Sequence, residues 1–237
     1  GLLPAIYFIF SRQGCDTAVR QVVQSGLQLT SRAERAALDE IAGRHVQGLS
    51  ADDLAALEYR GFAAAFRAGI AAHHAGLLPA FKEAVEEGFA AGLVKVVFAT
   101  ETLALGINMP AKSVVLEKLV KYNGESHADV TAGEYTQLTG RAGRRGIDVE
   151  GHAVVCWQPG LDPRALAGLA SRRTYPLHSS FKPTYNMAVN LVGTVGRERA
   201  RGLLEQSFAQ FQADRRLVAR STPKRRRSEA GRERLPR

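Results

Sequence analysis

"LPAFKEAVEEGFAAGLVKVVFAT", residues 78–100, contains both halves of the pattern that decides the fold. Pro79 stands near a helix entry, where its fixed φ is already helical and its missing N–H is not needed. The apolar residues that follow recur at helical spacing as far as Gly92, a residue suited to a left-handed cap. Then "VKVVFAT" (94–100) is a nearly continuous apolar run of strand length, as expected for a strand covered on both faces. It ends in small and polar residues. A helix, a buried strand and a polar loop in that order make one unit of an α/β protein.

Working outward, the unit repeats. "PAIYFIF" (4–10), "AGIAAHH" (68–74), "AKSVVLEKLV" (111–120) and "HAVVCW" (152–157) are further runs of strand length. Helical patterns lie between them. "TSRAERAALDEIAGR" (30–44) opens with Ser31 and Glu34 at capping-box spacing, and "LSADDLAALEYRGFAAAFRAG" (49–69) repeats the device with Ser50 and Asp53. Strands alternating with helices predict a mostly parallel sheet with helices on both faces. In such sheets ligands gather at the carboxyl ends of the strands. The polar segments "SRQGCD", "HHAGLL" and "ATETLALGINMPA", each directly after a strand, are therefore the loops to inspect. "TQLTGRAGRRGID" (136–148), rich in glycine and arginine, precedes the last strand and follows a short helical pattern, "AGEYTQL".

The 237 residues are 45% hydrophobic and 23% charged, the make-up of a soluble globular protein. Arg67 interrupts the alanine-rich stretch around it, no window is apolar enough for a membrane span, and no membrane partner is expected. The apolar start lacks a basic leader and reads as a strand rather than a signal peptide. Cys15 and Cys156 are the only cysteines. They lack His or Cys at ligand spacing, so no metal site is expected and a reducing, cytoplasmic setting is. His73 and His74 also lack a ligand-spaced carboxylate or thiol. From Asp214 to Arg237 there are ten Lys or Arg against three acids, so +7 of the formal +9 lies in this stretch. It has no apolar periodicity and reads as a disordered tail, either simply solvated or an electrostatic tether for nucleic acid.

Four segments, in order and with matching spacing, resemble the motifs of superfamily 2 helicases in the superkiller-type DExH-box branch, in its bacterial HelY-type form. "AIYFIFSRQGCD" (5–16) is similar to motif IV, and "AAHHAGLLPAFKEAVEEGF" (71–89) to the segment after it. "KVVFATETLALGINMPAKSVV" (95–115) resembles motif V, and "EYTQLTGRAGRRGID" (134–148) motif VI. "YPLHSSFKPTYNMAVNLV" (175–192) and "LLEQSFAQFQ" (203–212) are similar to the segment entering that branch's winged-helix region. The resemblance implies an α/β, RecA-like three-layer domain over residues 1–160. A helical segment entering a winged-helix region follows at 161–213, and a disordered basic tail at 214–237.

The resemblance also implies roles. Two RecA-like domains of such helicases close over ATP and Mg²⁺, which the first domain mainly holds. Motif VI of the second supplies Arg141 and Arg144 as arginine fingers, with Gln137 facing the phosphates or the attacking water. Gly106 and Asn108 match positions that approach the ATP ribose. Ser11, Arg12, His74, Gly76, Thr100 and Thr102 match positions that meet nucleic acid. The residues alone also allow a surface arginine at Arg12, a structural His74, strand-end caps at the threonines and a plain turn from Gly106 to Pro110. Between motifs V and VI, Asn123-Gly124 suits a tight hairpin turn. The hairpin is either a strand-separating wedge tipped near Tyr122 or an ordinary surface hairpin.

The chain has no G-x-x-x-x-G-K-[ST] phosphate loop, and Asp39-Glu40 lies inside a capped helix rather than in a DExH box. Its start within a motif IV strand is expected of a fragment or a truncated reading frame. The implied partners are a first RecA-like domain absent from this chain and single-stranded RNA, with DNA possible. A non-catalytic nucleic-acid-binding fragment and a part of a DNA repair helicase are the alternatives. If the tail is a tether, RNA affinity falls steeply with salt, and deleting residues 214–237 flattens that slope in a binding titration. An unchanged slope assigns binding to the loops at Thr100 and His74.

Overall fold

The computed structural model describes residues 1–104, 108–122, 126–171, 181 and 184–221, with backbone alone from 215 to 221. It divides into two compact units, Gly1–Arg173 and Thr174–Arg237.

All five expected apolar runs of the first unit form strands of one sheet. These are β1 (Ala5–Phe8), β2 (Ile70–His73), β3 (Val96–Ala99), β4 (Ser113–Leu116) and β7 (His152–Val155), in the order β2-β3-β1-β4-β7. Every pairing is parallel; Ala5, for example, lies between Val96 and Ser113. Alternate residues pack to opposite sides. Ile6, Phe8, Val97, Ala99, Val114 and Leu116 enter the larger core, while Tyr7, Ile9, Ile70, Ala72 and Phe98 enter the smaller one. Helix α1 (Arg12–Gln24) covers the smaller core through Cys15, Val19 and Val22. The larger core takes Leu38, Ile41 and Ala42 of α2 (Arg32–His45), Phe66 of α4 (Tyr59–Arg67) and Ala84, Val85 and Phe89 of α5 (Pro79–Ala90). The three layers of a RecA-like domain result.

The local signals act as their chemistry requires. Ser31 and Glu34 close a capping box at α2, and Ser50 and Asp53 close one at α3 (Ala51–Ala56). Pro79 begins α5, and Gly92, at φ +71°, follows its end. The long pattern 49–69 nevertheless breaks into α3 and α4, because Glu58 adopts a left-handed φ of +52°. The run 111–120 also divides. After β4, residues Val120–Tyr122 form β5, which pairs antiparallel with β6 (His127–Asp129) in a separate ribbon. "SRQGCD" is not a loop: Ser11 caps α1, which begins at Arg12. Nor is β7 buried on both faces, since at the sheet edge it exposes Ala153 and Val154.

The first unit extends past the expected boundary at residue 160, because Leu166 and Leu169 of α7 (Pro163–Ser171) pack on the larger core. Helix α6 (Ala132–Thr139) forms where the short pattern predicts it, opened by a Thr131–Glu134 capping box. The second unit contains α8 (Tyr185–Val195), α9 (Arg197–Glu205) and α10 (Phe208–Ser221). Helix α10 runs beyond the expected tail boundary at 214; the remainder, 222–237, lies outside the described residues. A tail truncation that spares α10 therefore starts at residue 222. Among the described residues no helix is long and apolar enough to cross a membrane.

Glu34 links its cap to the sheet. It accepts from Lys95 Nζ at 2.7 Å, beside the start of β3, as well as from the Ser31 N–H. These contacts, the lysine's foremost, lower its pKa from 4.5 to about 2. A lowered carboxyl pKa stabilises the fold above the unfolded value, and that contribution is lost as pH falls through the folded one. Urea midpoints are therefore expected to fall between about pH 4.5 and about pH 2. Glu34→Gln, which retains a capping amide, should flatten this acid limb.

Candidate functional site

The glycine-rich segment after α6 is held by the sheet. Ala111, which leads into β4, donates its N–H to the Arg141 carbonyl at 2.9 Å and accepts from the Gly143 N–H at 2.8 Å. Ala111 and Ala142 thus form a parallel bridge, and Ala142 packs against the larger core. Gly143 turns the chain at φ +87°. On the other side Gly151, just before β7, comes so close that a Cβ there would lie 2.5 Å from the Ala142 carbonyl carbon and the Gly143 nitrogen. A side chain would displace the strap.

This backbone fixes two arginines. Arg141 is half-buried, and its guanidinium donates to the carbonyl of Ala104, at the end of the 3₁₀ turn Glu101–Ala104 that follows β3. Arg144 forms a bidentate pair with Asp148, Nε to Oδ2 at 2.7 Å and Nη2 to Oδ1 at 2.8 Å. The Asp148 carboxylate also accepts from the Arg144 backbone N–H. The Asp148 side chain is 4% exposed and that of Arg144 26%. The fork lowers the Asp148 carboxyl pKa and raises that of the guanidinium. Arg144 is thus a pre-oriented cation with one edge already occupied. Arg145 and Gln137 are exposed.

Ser11, Arg12, Thr100, Thr102, Lys121 and Tyr122 line one cleft of about 370 Å³. It opens outside the carboxyl ends of β1, β2 and β3, where an open α/β sheet binds its ligands. The Thr100 and Thr102 hydroxyls are 2.9 Å apart. Ser11 Oγ accepts from the Gly14 N–H as the cap of α1, and Arg12 is exposed. Tyr122 is 57% exposed, with its ring 5.7 Å from that of His127. Tyr122 also pairs with His127 across the ribbon, so residues 123–126 separate the two arms. The Asn123-Gly124 turn lies outside the described residues.

The ring of His74 bonds within the chain. It is buried, its Nδ1 accepts from the Gly76 N–H at 3.1 Å, and its Nε2 donates to Asp16 at 3.0 Å. Both ring nitrogens are occupied, so it ties the loop at Gly76 to α1. Gly76 stands against the stem of Arg12: a Cβ there would be 3.3 Å from Arg12 Cδ. Asn108 is exposed beside buried Met109, and Gly106 lies outside the described residues. Among the described residues no cluster of three or more His, Cys, Asp or Glu could hold a metal ion.

Sequence reasoning missed three groups. Asp148 stands four residues after Arg144, a spacing that could have been read as an ion pair. Thr131 and Glu134 have capping-box spacing. Lys121 gave no local signal, because its partners Glu101 and Glu134 are distant in sequence. Its Nζ pairs with Glu101 and lies 2.8 Å from Glu134. Burial alone would lower the lysine's pKa, but the two carboxylates outweigh it and the pKa is raised. Burial likewise opposes the ionised Glu134, yet bonds from Lys121 and Thr131 hold its pKa down.

Residues 50–146 match the family model described as "Helicase conserved C-terminal domain". The chain is 63% identical over 218 residues to the probable helicase HelY of Mycobacterium tuberculosis, covering 92% of this chain and 24% of that protein. It is 37% identical over 214 residues to the DExH-box ATP-dependent RNA helicase DExH9 of Arabidopsis thaliana, covering 90% and 21%. Against the exosome RNA helicase MTR4 of Mus musculus it is 37% identical over 209 residues, covering 88% and 20%. The chain thus spans about a quarter or less of the length of these relatives.

Gly151→Ala is expected to lower stability by about 1–3 kcal/mol in urea unfolding, since the added methyl must move backbone. Gly168→Ala, in the exposed face of α7 with nothing within 4 Å, should instead gain about 0.5–1 kcal/mol.

Proposed function

Because the chain belongs to the superkiller-type DExH-box helicases, of which it carries the conserved C-terminal domain, we propose that it is the second half of an ATP-dependent RNA helicase motor. In this reading a first RecA-like domain holds ATP and Mg²⁺ through the phosphate loop and acids that this chain lacks. Arg141 and Arg144 reach that nucleotide, Gln137 faces the phosphates or attacking water, and Asn108 meets the ribose. Single-stranded RNA lies in the cleft, its phosphates meeting the hydroxyls of Thr100 and Thr102 and the cation of Arg12, with Tyr122 at its rim.

The observation that carries the reading is the convergence at one end of the sheet. A cleft lined by hydroxyls, cations and an aromatic side chain lies there, and the 3₁₀ turn at its wall ends in the carbonyl that anchors Arg141. The names of the DExH9 and MTR4 relatives, both RNA helicases, favour RNA over DNA.

The chemistry explains the arginines. In phosphoryl transfer, charge spreads over the transferring oxygens, and the protein contributes mainly position and charge stabilisation. A guanidinium suits this task because it stays protonated and offers a planar fork. The Ala104 carbonyl and Asp148 orient the two side chains before nucleotide arrives, which reduces the rotamer freedom lost on closure. A finger is typically worth a factor of about 10³ to 10⁵ in rate.

Alone, the chain should hydrolyse ATP no faster than buffer. Joined to a first RecA-like domain of the same branch, it should show RNA-stimulated hydrolysis. Arg141→Lys and Arg144→Lys should each then lower the single-turnover rate by roughly 10³ or more, whereas Arg145→Lys changes it little. ATP affinity should survive in all three. Equal, small losses at the three positions would overturn the finger assignment, as would turnover by the isolated chain that Arg141→Ala abolishes.

A further inference from the structure

Lys121 stands where the cleft and the arginine segment meet. It belongs to β5 and lines the cleft, but its ammonium points between two carboxylates on different elements. Glu101 opens the 3₁₀ turn whose last residue, Ala104, anchors the Arg141 guanidinium. Glu134 is the third residue of α6, and its other oxygen closes the Thr131 capping box. Helix α6 leads through Gly140 into Arg141 itself. The contacts therefore form a closed ring: Lys121 to Glu101, along the turn to Ala104, across to Arg141, back along α6 to Glu134, and again to Lys121.

The ring has a charge asymmetry that an incoming phosphate would disturb. Glu101 shares the cleft wall with Thr100 and Thr102, so an anion bound at those hydroxyls sits beside a carboxylate and depends on nearby cations to offset the repulsion. Arg12 is one such cation. Lys121, the other on the cleft wall, is held by Glu101 and Glu134. An ammonium is a flexible point charge with three donors, and a phosphate at the threonines competes for it with both carboxylates. Any shift of Nζ toward the phosphate loosens both supports of Arg141, the turn carrying Ala104 and the first turn of α6.

We propose that Lys121 is a positioning residue that transmits occupancy of the cleft by an RNA phosphate to the guanidinium of Arg141. The proposal rests on the assignment of the cleft to single-stranded RNA. It makes Lys121 neither an essential phosphate ligand nor a contact of the nucleotide; its effect passes through Glu101 and Glu134.

The test uses the chain as it stands, with a short oligouridylate as probe and two readouts, anisotropy for binding and the Nε–Hε resonance of Arg141 for transmission. Two variants are compared with the wild type, Lys121→Met and Glu134→Gln. The second retains a residue able to close the capping box while removing the charge that holds the ammonium. In the wild type, oligonucleotide should shift the Arg141 resonance. In Glu134→Gln binding should stay within about threefold, roughly 0.65 kcal/mol, and in both variants the Arg141 shift on saturation should fall to less than about half. An undiminished shift in the variants, or none in the wild type despite binding, overturns the transmission and leaves the cleft assignment standing. Lost binding in Lys121→Met with an intact Arg141 response in Glu134→Gln makes Lys121 a direct phosphate ligand and also overturns it. If the oligonucleotide does not bind the wild type, the cleft assignment fails and the inference falls with it.

Discussion

A pair of backbone hydrogen bonds, from Ala111 to Arg141 and from Gly143 to Ala111, decides what the glycine-rich segment can be. Residues 140–146 have too little apolar surface to order themselves against the entropy of a flexible chain. The sheet supplies what they lack. Ala111 leads directly into β4, an interior strand paired on both sides, so a segment bridged to Ala111 shares the rigidity of the strand that follows. The close approach of Gly151 ties the same segment to the start of β7. Arginines on such a segment are displayed from a scaffold.

The two arginines are then oriented by different means. Arg141 donates to a carbonyl, while Arg144 is held by a carboxylate that neutralises part of its field. The bond to the Ala104 carbonyl connects Arg141 to the loop after β3, and through that loop to the cleft. The anchor of Arg141 and a wall of the cleft thus meet in one short turn, Glu101–Ala104.

Much of the fold was legible because its signals are local. A buried parallel strand has to be an apolar run, and all five runs became strands of one sheet. Capping boxes need only residues three apart, and Ser31–Glu34 and Ser50–Asp53 closed as spaced. What escaped depends on conformation or on distant partners. Nothing in the sequence marks Glu58 as left-handed, and hydropathy does not reveal that the run at 111–120 leaves the sheet after Leu116. In the site, five of the residues expected to meet nucleic acid line a common cleft. The partner of His74 Nε2 escaped because Asp16 is 58 residues away. Lys121 escaped for the same reason, its partners lying 20 residues before it and on α6 after it.

The central claim is that residues 140–146 are ordered by the sheet before any nucleotide is present. Amide hydrogen exchange of the nucleotide-free chain tests it most directly, at the N–H groups of Ala111 and Gly143. Protection at both positions comparable to that of the β4 amides is the predicted result. Exchange of Gly143 at the rate of an exposed loop, while β4 remains protected, would contradict it.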